Sequence, residues 1–392
     1  MIFKRKIYKH LKEHLLKRQI TAITGMRRTG KSTLVKELLS EISGQNKIYF
    51  DLEQVSNRHL FSENNYENIV RALVQRGLNF EKNLTIAIDE IQLVPNIPSV
   101  LKYIYDHYKC KFIVSGSNSY YIKNLFSESL SGRKKIFELF PLDFGEFLTF
   151  KNVPFVENEF GKTKFSTHEY ERIKSYYEEF IEFGGFPEIA LEENNESKTD
   201  LLSDILNSYI LIDIKFLSDF RNEQNIFSLI KMLGSRLGTR LDYSKLSRLT
   251  GISRVTVQNY IDLFEKTYLL TRVPVYSKNT DREIVKAQKL YFNDTGLATV
   301  LGKPSSGALF ENAVFNQLKH KGRIKYYSLK NGKELDFILD EKIAVEVKET
   351  PTEFDLKIVS EMALKIGIKK TYLVGRNRVK GFSNYLWGGE IN

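Results

Sequence analysis

The chain carries one cysteine, Cys110, in 392 residues. A single thiol makes no internal disulfide and no Cys-based zinc site. Cys110 sits at the edge of an apolar run, Lys111-Phe112-Ile113-Val114, and reads as a small buried residue. Long hydrophobic stretches are missing too, since none approaches the roughly 20 residues needed to span a bilayer. The opening Met1-Ile2-Phe3-Lys4-Arg5-Lys6 is charged, and no apolar signal core follows it. Together these absences predict a cytoplasmic protein without a membrane partner. Acidic charge is in deficit: 59 Lys and Arg stand against 48 Asp and Glu, a net charge of +11. That balance favours a polyanionic partner, nucleic acid first, although a Lys-rich solvated surface gives the same sum. With 42% hydrophobic and 27% charged residues, the composition is that of a soluble globular protein. Its length calls for two or three domains.

What is present is concentrated at residues 25–32, Gly-Met-Arg-Arg-Thr-Gly-Lys-Ser. The octapeptide fits G-x-x-x-x-G-K-[ST], the phosphate-binding P-loop. A β-rich run, Gln19-Ile20-Thr21-Ala22-Ile23-Thr24, precedes it, and Thr33–Leu39 follows with apolar residues at helical spacing. Gly25 and Gly30 would let the backbone curl so that its N–H groups face a phosphate, with the next helix adding positive potential. Gly25, Met26, Arg27, Arg28, Thr29, Gly30, Lys31, Ser32 and Thr33 are therefore the expected nucleotide cradle. Lys31 would reach the β- and γ-phosphates of ATP, and the Ser32 hydroxyl would ligate Mg²⁺.

A second strand, Leu84-Thr85-Ile86-Ala87-Ile88, ends in Asp89-Glu90. Its continuous apolar character suits a parallel sheet buried on both faces. Asp89 would hold Mg²⁺, and Glu90 would orient and polarise the attacking water. The next strand runs into Ser115-Gly116-Ser117-Asn118-Ser119, where Ser117 and Asn118 are both candidates to sense the γ-phosphate. Arg133, in Gly132-Arg133-Lys134-Lys135, is the candidate arginine finger, acting from the same or a neighbouring subunit.

These segments, with Pro141-Leu142-Asp143-Phe144-Gly145-Glu146-Phe147 and Gly184-Gly185-Phe186-Pro187-Glu188, recur in this order in one group. The chain resembles the prokaryotic AAA-type ATPases, STAND-like in layout, that carry a C-terminal domain of unknown function (family 4143). The resemblance implies an ATP-hydrolysing AAA-like core and extends over nearly the whole chain, but that group's biological role is itself poorly defined.

Further along, Asp242–Ser253 reads as a helix, a Gly-containing turn and a cap, and Arg254–Phe264 as a second helix with Ser253 as its N-cap. Leu269–Tyr276 would form a wing. In helix-turn-helix logic the second helix enters the major groove, which nominates Arg254, Thr256, Gln258 and Asn259 for bases and Lys245 and Arg248 for phosphate. The same fold also serves simply to pack domains together.

In the C-terminal part, Glu334–Leu339 and Lys342–Lys348 predict two strands joined by a turn at Asp340-Glu341. Glu346 and Lys348 then share a face, with Asp336 on the neighbouring strand and Glu311 on the preceding helix. Asp, then Glu-x-Lys, with an acid on the helix before, resembles the restriction-endonuclease-like pattern. Glu311, Asp336 and Glu346 would ligate Mg²⁺, and Lys348 would support an attacking hydroxide. A degenerate domain that binds DNA or protein without cutting would carry the same letters.

The expected architecture is thus α/β: a parallel AAA-like core with helices on both faces over 1–145, then a helical lid and connector over 146–240. A winged helix over 241–278 and a restriction-endonuclease-like α/β domain over 279–392 complete it. The expected function is Mg²⁺-dependent ATP hydrolysis coupled to DNA binding or cleavage. The rivals are a nucleotide-dependent signalling switch with a protein partner or a homo-oligomer, and a transcription regulator that uses the winged helix alone.

Overall fold

Every residue from Leu84 to Asp89 is buried, the mark of a strand covered on both sides. It is the third strand of a five-stranded sheet in a computed structural model of the chain. The structure describes residues 3–117, 130–157, 160–161, 166–214, 223–279, 281, 283, 286–329, 331–379 and 383–391. The sheet comprises β1 (Ile20–Thr24), β2 (Lys47–Asp51), β3 (Leu84–Asp89), β4 (Cys110–Gly116) and β5 (Lys134–Glu138). Its order is β2-β3-β4-β1-β5, and every ladder is parallel.

Period-2 alternation sorts the side chains of these strands onto the two faces. Ile86, Ile88, Phe112 and Val114 join one core, which includes Val100, Leu101 and Ile104 of α5 (Ile97–His107). Ala87, Ile113 and Ile23 join the other, with Leu34, Val35 and Leu38 of α2 (Lys31–Glu41) and Leu11 of α1 (Tyr8–Leu15). Each fully buried side chain of this kind is worth about 1.5–3 kcal/mol. Two helices, α3 (Val55–Phe61) and α4 (Tyr66–Gln75), fill the β2–β3 connection. Residues 1–140 with 266–268 make one compact unit, and 141–265 with 269–392 make another.

The second unit opens with α6 (Phe144–Phe150), started by a capping box between Asp143 and Glu146. It continues through α7 (Thr167–Phe183), α8 (Pro187–Leu191), α9 (Asn195–Ser208) and α10 (Glu223–Gly234). Three aromatic residues of α7 are core: Tyr177, Phe180 and Phe183 are buried, and Phe144 and Trp387 pack on Tyr177. Two helices follow, α11 (Tyr243–Thr250) and α12 (Arg254–Lys266), joined through Gly251 in the left-handed region. The next strand, β6 (Leu270–Val273), pairs antiparallel with β7 (Lys289–Phe292), so the ribbon crosses the boundary expected at 278/279. Then come α13 (Thr295–Gly302) and α14 (Ser306–Leu318).

A mixed sheet ends the chain: β8 (Ile324–Ser328), β9 (Glu334–Leu339), β10 (Ile343–Lys348), β11 (Lys370–Gly375) and β12 (Tyr385–Trp387), with α15 (Glu353–Lys365) between β10 and β11. β8, β9 and β10 are antiparallel neighbours, whereas β10, β11 and β12 are parallel. The turn at Asp340-Glu341 holds both residues at positive φ (48° and 58°), which matches the twist of a tight hairpin. The segments expected at 146–240 and 279–392 lie in the second unit, as does 241–278 apart from residues 266–268. Among the described residues no helix is long and apolar enough to cross a membrane.

Candidate active site

The P-loop leaves β1 after Thr24 and enters α2 at Lys31, as its sequence required. Its two glycines do different work. Gly30 has φ +96° and open space around it, so its requirement is conformational. A Cβ on Gly25 would instead overlap the carbonyl oxygen of Leu139, just beyond β5, so this glycine is demanded by sheet packing. Lys31 is buried, and its Nζ donates to the Met26 carbonyl at 3.0 Å. Thr29 Oγ1 donates to the same carbonyl at 2.8 Å. Arg5 braces the loop from behind, donating to the Thr29 carbonyl at 3.0 Å and the Phe140 carbonyl at 2.8 Å. Arg27 pairs with Glu53 at 3.2 Å, while Arg28 (φ 64°) and Thr33 are exposed.

The parallel register carries Asp89 and Glu90 to the carboxyl edge of the same sheet. Asp89 is the hub there. It accepts from Tyr49 Oη at 2.9 Å, from Ser115 Oγ and from Ser32. Burial raises its carboxyl above the usual range and Glu90 adds to this, while Ser32, Tyr49 and Lys31 pull it back. Glu90 has a left-handed backbone (φ 53°). Its carboxylate accepts from Gln92 Nε2, which also donates to Ser117 Oγ at 3.1 Å. Thr24 Oγ1 and Gln92 Oε1 are buried without a hydrogen-bond partner among the described residues. Oxygen-rich, partly unsatisfied and beside a lysine, this donor set fits a nucleotide with Mg²⁺.

Two expectations do not settle there. Asn118 lies outside the described residues. Arg133 is a correction for action within one chain. Lys134 pairs with Ile20, the first residue of β1, and the Arg133 carbonyl accepts from Ile20 N at 2.8 Å. The P-loop leaves the other end of β1, about 13 Å away at ~3.3 Å per residue. The Arg133 guanidinium pairs with Asp106 through Nε–Oδ1 (2.9 Å) and Nη2–Oδ2 (3.2 Å).

In the second unit Glu311, Asp336, Glu346 and Lys348 do come together, but not around a metal site. The β9–β10 register pairs Phe337 with Val345, and one step further sets Asp336 opposite Glu346. Lys348 Nζ lies 3.1 Å from Glu346 Oε1, and Val347 N donates to Asp336 Oδ2 at 3.0 Å. The sequence reading missed Lys289, a lone charge in the otherwise apolar strand β7. Its Nζ lies 3.3 Å from Asp336, 3.5 Å from Glu311 and 3.2 Å from Glu334. Tyr291 Oη donates to Glu311 Oε1 at 2.5 Å.

Burial lifts the Glu311 carboxyl to about 7, with the charge of Asp336 adding to it and Lys289 opposing. It lifts Glu346 to about 8, again helped by Asp336 and opposed by Lys348. For Lys289 burial works against the ammonium, yet Asp336, Glu311 and Glu334 outweigh it and raise its pKa. No group of three or more acidic, His or Cys side chains among the described residues is arranged to hold a metal ion. Mg²⁺ ligation by Glu311, Asp336 and Glu346 is thus corrected: protein cations and N–H donors engage these carboxylates.

Asp294 was also missed. Fully buried, it caps α13 and accepts from Gly185 N at 2.8 Å and Leu297 N at 3.1 Å, tying down the Gly184-Gly185 turn. Its only sequence signal was a capping residue before an apolar run.

Residues 17–148 match the family model described as an AAA domain. With the P-loop, the paired acids and the all-parallel sheet, this match supports a nucleotide-binding P-loop domain of the AAA type over these residues. Residues 174–307 and 306–383 match two domains of unknown function, DUF8612 and DUF4143. The second contains Glu311, Asp336, Glu346 and Lys348. Over 90% of this chain and 80% of its own length, the uncharacterized protein MJ1544 of Methanocaldococcus jannaschii is 29% identical. An uncharacterized protein of Haemophilus influenzae is 25% identical over 91% of this chain and 89% of its own. Among solved structures, Aeropyrum pernix ORC1 in complex with DNA aligns at TM-score 0.35 and 14% identity, covering 80% of this chain and 93% of its own. AMPPCP-bound DnaA from Aquifex aeolicus aligns at TM-score 0.29 and 16% identity, covering 68% and 89%.

Proposed function

We propose that the first unit binds and hydrolyses ATP with Mg²⁺, and that this cycle controls DNA binding by the second. The observation carrying the first half is the gathering of Lys31, Ser32, Asp89 and Glu90 at one sheet edge, with Tyr49 and Ser115 fixing Asp89. Ser32 and Asp89 would hold Mg²⁺, which neutralises phosphate charge. Lys31 exchanges the Met26 carbonyl for the β- and γ-phosphate oxygens. The loop's N–H groups and the start of α2 orient the phosphates. Glu90 aligns a water for in-line attack and takes up its proton.

The second half rests on α11 and α12. Lys245, Arg248, Arg254 and Asn259 are exposed there, and Thr256 and Gln258 half-exposed, around a Gly251 turn. In a winged helix this is the face that meets DNA. Binding is preferred to cleavage because Lys289 occupies the acid cluster. Action of Arg133 on a nucleotide would require a neighbouring copy of the chain.

The test is ATP turnover and DNA binding by the full chain. Lys31→Ala should abolish hydrolysis with the fold intact, and Glu90→Gln should bind ATP without turning it over. Arg248→Ala and Arg254→Ala should each lower the salt slope of DNA affinity by about one. Undiminished hydrolysis in Lys31→Ala would sink the ATPase assignment. Absence of any DNA interaction would transfer the second unit to the protein-partner reading.

A further inference from the structure

Between the end of α10 and the first turn of α11 the second unit holds a recess of about 330 Å³. Its floor is apolar, made by Leu233, Leu241, Leu246 and Leu290, all of them buried. Its walls are cationic. Arg236, Arg240 and Lys245 stand against a single acid, Asp242, among the described lining residues.

The frame of the recess is tied to β7. Gly238 N donates to the Leu290 carbonyl at 2.9 Å, Leu290 N to the Thr239 carbonyl at 3.2 Å, and Leu241 N to the Gln288 carbonyl at 2.8 Å. The strip 238–241 therefore runs along the strand as an added edge. Thr239 Oγ1 donates to the Arg236 carbonyl at 2.8 Å, which closes the turn that carries this arginine. Asp242 caps α11, and its Oδ1 accepts from Lys245 N at 2.9 Å. That bond commits the acid to the helix and sets Lys245 in its first turn.

The three cations differ in what they already hold. Arg240 pairs with Glu334. Arg236 and Lys245 make no side-chain ion pair among the described residues. Arg236 is half-buried, and its Nε is buried without a hydrogen-bond partner among the described residues. A buried N–H without an acceptor is costly, and more so when it belongs to a charged group. An anionic acceptor in the recess would satisfy it.

We propose that this recess binds a small phosphomonoester. Its phosphate, close to a dianion at neutral pH, offers three acceptor oxygens to Arg236, Arg240 and Lys245. A guanidinium grips phosphate oxygens two at a time, and the leucine floor receives the body of the molecule. The volume falls at the lower end of the roughly 300–1,000 Å³ usual for small-molecule sites. A carboxylate would bring one charge and two oxygens to three cations, a poorer match. A DNA duplex presents its phosphates on a broad convex surface, so the recessed apolar floor favours the small molecule. The inference rests on neither the ATPase nor the DNA reading: no P-loop residue takes part, and Arg236, on which it turns, is not assigned to DNA.

The experiment is isothermal titration calorimetry of the full chain with ribose 5-phosphate, the P-loop kept filled by saturating ADP and Mg²⁺. Wild type should bind one ribose 5-phosphate per chain and should not bind ribose. Arg236→Gln should weaken that binding by about tenfold or more, the scale of a lost charged hydrogen bond. Absence of binding in wild type, equal affinity in a folded Arg236→Gln chain, or ribose binding as tightly as its phosphate would each overturn the proposal. Should Arg236→Gln not fold, the exposed Lys245→Gln decides by the same comparison. A short duplex that displaces ribose 5-phosphate would give the recess to the DNA backbone and also overturn it. Arg248→Ala and Arg254→Ala should bind ribose 5-phosphate as wild type does, which separates failure of the DNA reading from failure of this one.

Discussion

Gln92 Nε2 bridges the Glu90 carboxylate and the Ser117 hydroxyl, 3.1 Å from the latter. One amide thereby fixes the acid that would polarise water and ties it to the end of β4. Its carbonyl oxygen is buried and lacks a hydrogen-bond partner among the described residues. Gln92→Ala should lower kcat about tenfold to a hundredfold, the scale of a misplaced catalytic group, with the KM for ATP nearly unchanged. Gln92→Glu should do no better, because it sets a second carboxylate against Glu90. Steady-state kinetics decide it: a rise in KM at constant kcat would assign Gln92 to nucleotide binding instead.

The P-loop glycines should separate in behaviour. Gly25→Ala drives a methyl group into the Leu139 carbonyl, part of the backbone that continues β5, and nothing there is flexible enough to yield. We expect a loss of about 3 kcal/mol in the first unit's stability, seen as a lowered melting temperature without nucleotide. Gly30→Ala meets open space and bears only the left-handed backbone cost, about 1–2 kcal/mol. Its main loss should be nucleotide affinity. Equal melting temperatures for the two variants would contradict the assignment.

The contrast shows which parts of the site were legible. The octapeptide, Asp89-Glu90 and the Asp340-Glu341 turn are local patterns, and local chemistry decides their conformation. Arg133 was not readable, because its distance from the loop depends on the β1–β5 register, set by pairing more than 100 residues apart in sequence. That ladder puts the start of β5 at the amino edge of the sheet. Asp336, Glu346 and Lys348 were legible as neighbours on a hairpin. The cation among them was not, because Lys289 arrives on a strand paired with β6 rather than with β9 or β10. The available clue was Lys289-Leu290-Tyr291-Phe292, a lysine in an apolar strand, which must find a charge partner wherever it is buried.

Asp294 binds two backbone amides with its two carboxylate oxygens. Asp294→Asn keeps one acceptor and turns an amide donor toward another, so one N–H is orphaned at a cost of about 1–3 kcal/mol. Burial raises the Asp294 carboxyl to about 6 from its ordinary 3.8, against the pull of the Gly185 and Leu297 amides. Between pH 4 and 6 the native state therefore holds more proton than the unfolded one, and wild-type stability falls as pH rises through that window. Asp294→Asn lacks this slope, so the gap between the two proteins should be wider at pH 4.5 than at pH 7. Denaturant unfolding at both values is the check, and a gap that widens with pH would refute it.

His14 in the first unit gives the opposite sign. It is buried, with Nδ1 2.8 Å from Thr21 Oγ1 and Nε2 3.4 Å from Gln19 Oε1. Burial lowers its pKa to about 4, and the charges of Lys111, Lys135 and Lys17 reinforce this against the Gln19 hydrogen bond. Here the unfolded chain holds more proton between about pH 4 and 6.5. Stability is thus full above pH 6.5 and lost as pH falls toward 4, by roughly 2 kcal/mol once partial solvation is allowed for. Since other groups titrate in the same range, the informative quantity is the difference between wild type and His14→Gln, which cannot take the proton. Wild type should lose its advantage over His14→Gln progressively between pH 6.5 and 4.5. A pH-independent difference would mean that the imidazole stays uncharged in both states or carries its proton in both, and the buried neutral ring would have to be abandoned.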